Sequence, residues 1–240
     1  MARYPGPYES ARPLGYETRV DAGVIARFFN VVYAWMAAGL ALTAVVAWYV
    51  ASREDLVQQV FRGPVLIVLV IAQLALVFTI SAAVNKLSAG VATVLFMLYS
   101  ALTGLLLSSI FVLYTHASIA GAFVATAGMF GAMSLFGMVT KRDLSRLGSI
   151  LFMALIGLVL ASLVNIFFRN PALYWIITYA GVLIFVGLTA YDTQRLKSVA
   201  IQTADDPRMA ARYAVNGALM LYLDFINLFL MMLRILGDRR

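Results

Sequence analysis

Cysteine is absent from the 240 residues, and histidine occurs once, at His116. The first absence removes disulfides and thiolate chemistry and leaves the redox compartment unread. The second removes any zinc or iron centre built from several histidines. Charge is scarce as well: 12% of residues are charged, 63% are hydrophobic, and mean hydropathy is +0.91. Soluble domains carry about 25% charged residues, so the class that remains is an integral membrane protein. In a soluble chain the net charge of +7 would point to nucleic acid. Here it reads as basic loops that fix topology against an anionic leaflet, with no nucleic-acid partner. Glutamate disappears after Glu54, and of the 11 acidic residues only Asp192 and Asp224 belong to hydrophobic runs.

What is there begins with a polar tail, residues 1–27, holding Pro5, Pro7 and Pro13 and four arginines. This tail is expected to be disordered and cytoplasmic. It is too long and too mixed for the short basic start of a cleaved signal peptide, so the first hydrophobic run is expected to stay. Seven runs follow, at 28–51, 64–84, 89–114, 117–139, 147–168, 173–192 and 213–236. Each approaches the roughly 20 apolar residues that cross a bilayer. The expected fold is therefore an all-α integral membrane domain over 28–237, seven transmembrane helices of antiparallel neighbours, with a tail at 238–240.

Counting Lys and Arg on alternate sides puts 12 of the 18 with the N-terminus and 6 on the other face. The positive-inside rule then places the N-terminus in the cytoplasm and, after seven spans, the C-terminus outside. Small residues at four-residue spacing (Ser100, Gly104 and Ser108; Gly128 and Ala132) predict faces where helix backbones approach closely. Gln73 and Asn165 are read as polar bridges between helices, His116 as an interfacial residue of a short turn, and Arg234 as a side chain reaching the outer interface.

Asp224 stands inside YAVNGALMLYLDFINLFLMMLRIL, residues 213–236, with Asn227 three positions on as a candidate supporting residue. A carboxylate at that depth costs several kcal/mol on most scales and is seldom there without a partner or a role. The one other acid in a hydrophobic run is Asp192, near the end of the sixth. Asp206–Pro207 reads as an N-cap followed by proline at the first helical position. Asp224 then lies on the order of 25 Å along the last helix. For Asp192 to stand level with it, the sixth helix must continue to about residue 205, which the polar stretch TQRLKSVAIQT supports in part. Two carboxylates meeting in a low-dielectric site cannot both ionise cheaply, so they share a proton. Doubly deprotonated, they form an oxygen-rich site suited to a hard cation such as calcium. The plain alternative is that each aspartate caps or bonds a neighbouring helix. Asn85–Lys86, on the same side as Asp192, offers that carboxylate a cation or serves as a simple topology signal.

GLTAYDTQRLK (187–197), joined to LMLYLDFINLFLMMLRILG (219–237), resembles the Bax inhibitor-1 family, the transmembrane Bax-inhibitor-motif proteins, and is most similar to its bacterial branch. The resemblance implies two three-helix layers around a central C-terminal helix and a bacterial inner-membrane location. It implies a pH-sensitive calcium leak governed by a hydrogen-bonded aspartate pair at Asp192 and Asp224, with calcium as the transported ion and no cofactor. It also implies a basic latch near Lys86. TADDPRMAARYA reads as extra cytoplasmic material between the two aspartates. Beside this reading stands a membrane interaction protein that modulates a partner such as a membrane protease or stress machinery. An intramembrane enzyme is disfavoured: the lysines fall in loops or at helix ends, and neither AYDTQ nor YLDFI carries the glycine usual beside an intramembrane catalytic aspartate.

Overall fold

The computed structural model describes residues 22–82 and 87–238. Eight helices follow one another: α1 (Ala22–Ala51), α2 (Glu54–Val60), α3 (Gly63–Ala82), α4 (Ala89–Leu113), α5 (His116–Val139), α6 (Ser145–Phe168), α7 (Pro171–Gln202) and α8 (Pro207–Leu236). Seven of them are long and apolar enough to cross a membrane, and the exception is α2. The chain is a multi-pass membrane protein.

Several boundaries differ from those expected, each for a local reason. Helix α1 begins at Ala22, ahead of the hydrophobic run, because AGVIAR contains no proline, its one glycine falls in the first turn, and Phe28 and Phe29 are already buried. The expected tail boundary at 27 therefore moves back, and the rest of that tail lies outside the described residues. The stretch 52–63 was read as a loop but contains α2, whose Glu54 and Asp55 fall in its first turn, where the helix dipole favours them. Asn170 caps α7, its Oδ1 accepting from Ala172 N at 2.9 Å and Leu173 N at 3.2 Å. Asp206 caps α8, its Oδ1 accepting from Arg208 N and Met209 N, both at 3.0 Å. The expected start of the last helix holds.

TADDPRMAARYA, expected as extra cytoplasmic material, is the turn Thr203–Asp206 and the start of α8, while the continuation of the sixth spanning helix toward residue 205 holds. Helix α7 runs unbroken to Gln202, and after Thr203–Asp206 the remainder already belongs to α8. The polar letters of TQRLKSVAIQ conceal a buried stripe of Thr193, Leu196 and Ala200 at helical spacing. Their half-buried neighbours Gln194 and Lys197 are spent on the α5–α6 connection. Gln194 Nε2 donates to Arg142 O at 2.8 Å, Gln194 Oε1 accepts from Leu144 N at 2.9 Å, and Lys197 Nζ donates to Met138 O at 2.8 Å.

Helix α8 is the centre. Half of its spanning window is buried, against 6% for α3 and α6. It packs against α1, α4, α5 and α7, while α3 lies on α4 and α6 lies on α7. The result is two three-helix layers, α1/α3/α4 and α5/α6/α7, around a central C-terminal helix. Phe78, Val124 and Phe167 are among the large apolar side chains exposed on the rim. In lipid such exposure is cheap, and close packing with interhelical hydrogen bonds holds the bundle instead.

Close approach is visible at two glycines. A Cβ on Gly104 would come within 2.7 Å of Thr43 O, which draws α4 onto α1. A Cβ on Gly137 would strike the backbone of Ala190, which draws α5 onto α7. The expected contact face at Gly128 and Ala132 is not one: both residues are exposed, and a Cβ at Gly128 would meet nothing. Small residues permit approach without compelling it.

Candidate functional site: an aspartate pair in a lateral cleft

Helices α6 and α8 both pack on α7 and stand apart from one another, leaving a cleft of about 1210 Å³. The α6 wall is mostly apolar. Apart from Ser149 and Ser162 on that wall, the polar groups include Asp192 and Arg195 from α7, and Asn216, Asp224 and Asn227 from α8. On α8, the cleft residues Tyr213, Asn216, Met220, Asp224, Asn227 and Met231 recur every three or four positions, which is one helical face.

The α7–α8 register brings the acids together. Leu196 lies against Gly217, and Met231 lies against Gly181. Between those two contacts Asp192 and Asp224 are charge neighbours. Their surroundings are unequal. Asp224 is 5% exposed, and its Oδ2 is a buried oxygen with no hydrogen-bond partner. Asp192 is half-buried and has Arg195, one turn along, as a charged neighbour. No charged side chain of α6 lines the cleft. The arrangement can hold or exchange a proton between two carboxyl groups, or offer several oxygens to a cation in passing. Among the described residues, no group of three or more His, Cys, Asp and Glu is placed to hold a metal ion.

Other residues singled out in the sequence sit as follows. Asn227 lines the cleft, but its Nδ2 donates to Leu223 O on its own helix at 2.8 Å rather than to an aspartate. Lys86 lies outside the described residues. Gln73 does bridge helices, donating to Thr103 Oγ1 at 2.8 Å. Asn165 instead closes the α6–α7 turn, its Oδ1 accepting from Asn170 N at 2.9 Å. His116 opens α5 rather than lying in a turn, with its ring 6.2 Å from that of Phe111. The Arg234 guanidinium lies 5.4 Å from the centre of the Tyr174 ring, a cation–π contact between α8 and α7.

Two cleft residues escaped the sequence reading, Arg195 and Asn216. The signal was present: Arg195 is three residues past Asp192, and Asn216 is eight before Asp224 on the same face. Neither stands out from the letters, because Arg195 lies in the polar stretch TQRLKSVAIQT and Asn216 is one polar residue near the start of a hydrophobic run.

On the opposite side of α8 the polar groups are matched. Thr43 Oγ1 lies 2.6 Å from Tyr222 OH and 2.8 Å from Ser100 O, tying α1, α4 and α8 together. Tyr222 is fully buried, edge-on to Phe96 at 5.5 Å and to Tyr99 at 6.0 Å. A second chain of hydroxyls, Tyr33 to Ser134 to Thr193, ties α1 to α5 and α7.

The sequence profile described as "Inhibitor of apoptosis-promoting Bax1" matches residues 25–240. The chain belongs to the Bax inhibitor family. Among relatives within reach of this chain, "Inner membrane protein YbhL" of Escherichia coli (strain K12) is 62% identical over 212 residues, covering 87% of this chain and 90% of that protein. An uncharacterized protein of Deinococcus radiodurans is 49% identical over 209 residues, 86% of this chain and 88% of its own length. One of Borreliella burgdorferi is 46% identical over 215 residues, 89% and 93% respectively. Family membership agrees with the seven spans and the central last helix; the printed names of these relatives assign no transported ion.

Proposed function

We propose that this protein is a pH-sensitive cation leak, with calcium the favoured ion, gated by protonation of Asp192 and Asp224. One observation carries the reading: a buried carboxyl oxygen without a partner sits beside a second carboxyl group and opens into a polar-floored cleft within a membrane bundle. A proton shared between the two carboxyl groups would hold α7 and α8 together. Losing it leaves two negative charges in a low-dielectric site, which repel one another and attract a divalent cation. The other charged and titratable side chains lining the cleft with the pair are Arg195 and Tyr191 on α7 and Tyr213 on α8. The calcium is cargo, held in passing by Asp192 and Asp224, and the protein is no enzyme on this reading. Twelve of the 18 basic residues on the N-terminal side support a cytoplasmic N-terminus and an outer C-terminus. The name of the YbhL relative supports a bacterial inner-membrane setting.

The test is calcium flux into proteoliposomes across a pH series. Wild type is expected to leak more as pH rises, and Asp224→Asn to lose that rise and at least about tenfold of the flux, equivalent to about 1.4 kcal/mol. Equal flux from the two proteins at every pH would sink the reading.

A further inference from the structure

Only two buried side-chain oxygens lack a hydrogen-bond partner among the described residues, Asn216 Oδ1 and Asp224 Oδ2. Both belong to residues of the same cleft and the same face of α8. They are eight residues apart, about 12 Å at 1.5 Å per residue. The donor end of the Asn216 amide is engaged, its Nδ2 lying 3.9 Å from Met220 Sδ, which leaves the carbonyl end free. Because Leu196 meets Gly217, Asn216 stands level with Arg195, toward the α7–α8 turn from the aspartate pair.

A buried amide oxygen without a donor is a standing acceptor, and uncharged oxygens of this kind are ordinary ligands of hard cations. Its neutrality matters. Conduction needs sites that bind well enough to admit an ion and weakly enough to release it. The aspartates supply strong attraction at the deep end. Arg195 places a positive charge at the shallow end, which an entering cation must pass. An oxygen at the Arg195 level offsets that repulsion and divides the distance to the carboxylates.

We propose that Asn216 is a second, shallower binding station for the cation, its Oδ1 receiving the ion beside Arg195 before the ion reaches Asp224. This rests on the cation-leak reading above. Asn216 is then a specificity-determining residue of the path, and water must reach its side chain.

The absence of native cysteine makes the test direct, since Asn216→Cys is then the sole thiol of the full-length protein. Its labelling by a water-soluble, positively charged methanethiosulfonate reagent is compared in liposomes with that of Leu183→Cys, a rim position 72% exposed. Thiolate chemistry needs water, so Asn216→Cys is expected to label at least about tenfold faster. Calcium flux is then measured for wild type, Asn216→Leu and Asn216→Asp. Asn216→Leu is expected to lower flux by about tenfold, the low end of what supporting partners contribute at metal sites, and Asn216→Asp, which adds a charge to the station, to keep the flux and shift its saturation to lower calcium. Asn216→Asp also keeps the test open should Asn216→Leu fold poorly: an aspartate that leaves flux and its calcium dependence unchanged counts against the station. Labelling no faster than at Leu183, or full flux through a folded Asn216→Leu protein, overturns the station and leaves the leak intact. Absence of flux in wild type overturns both.

Discussion

The two sides of α8 solve the same problem in opposite ways. Toward α1 and α4, Tyr222 buries a hydroxyl completely and meets Thr43 at 2.6 Å, with aromatic rings closing the space around it. Toward the cleft, two residues later, Asp224 buries a carboxyl oxygen that nothing meets. Matched polar groups between helices hold a membrane bundle together, while an unmatched one in hydrocarbon costs free energy and persists where it serves a purpose. One helix thus carries a fastening face and a working face. The matched side teaches that this chain can satisfy buried polar groups, so the unmatched side is not a general looseness of the fold.

The comparison can be broken most forcefully at the seam that holds the working side rigid. Gly137→Leu drives a side chain into the Ala190 backbone, and overpacking of that kind is expected to cost about 3 kcal/mol. A drop in melting temperature in detergent checks it. An unchanged melting curve would mean that the α5–α7 seam yields, and the cleft with it. A smaller effect is expected on the fastening face. Tyr222→Phe removes one buried hydrogen bond and should cost about 1 kcal/mol or less while leaving calcium flux and its pH dependence alone. Loss of pH dependence in Tyr222→Phe would merge the two faces into one device.

The smallest effect belongs to the loop beneath the cleft. Asp143 is held below the usual carboxylate range chiefly by hydrogen bonding from Ser145, whose N–H donates to its Oδ1 at 2.9 Å. A lowered folded value means that this contribution is fully present above about pH 4 and fades as pH falls further. Protease protection of residues 140–144 should therefore be flat from neutral pH down to about pH 4, and Asp143→Asn should weaken it slightly at neutral pH. If Asp143→Asn instead shifted the pH dependence of flux, the switch would lie in this loop rather than between α7 and α8.

Much of this architecture is legible in the letters. Seven apolar runs give seven spans, Asn170–Pro171 and Asp206–Pro207 announce helix starts, and the lone acid of the last run points to the centre. What stayed hidden depended on partners remote in sequence. TQRLKSVAIQ supports a continued helix only in part until Gln194 and Lys197 are seen to hold carbonyls and an amide of the 138–144 segment. Asn216 reads as one more polar residue near the start of a hydrophobic run until the Leu196–Gly217 contact sets it beside α7. Gly128 and Ala132 have the spacing of a helix contact, yet no helix is opposite, because spacing describes one surface and contact needs two.

Helix α8 is fastened at both ends. The Thr203–Asp206 turn joins it to α7, and beyond its far end Asp238 N donates to Ser118 Oγ at 2.9 Å on α5. Helix α6 is tied to α7 alone: Leu144 N at its start donates to Gln194 Oε1, Asn165 Oδ1 near its end accepts from Asn170 N, and along its length it packs on α7, with Ile156, Leu160 and Phe167 turned outward. Of the cleft's walls, α6 is the panel hung on a single seam. The lateral pressure of the bilayer therefore bears on the one wall free to answer it, and membrane thickness and tension become natural inputs to the width of the cleft.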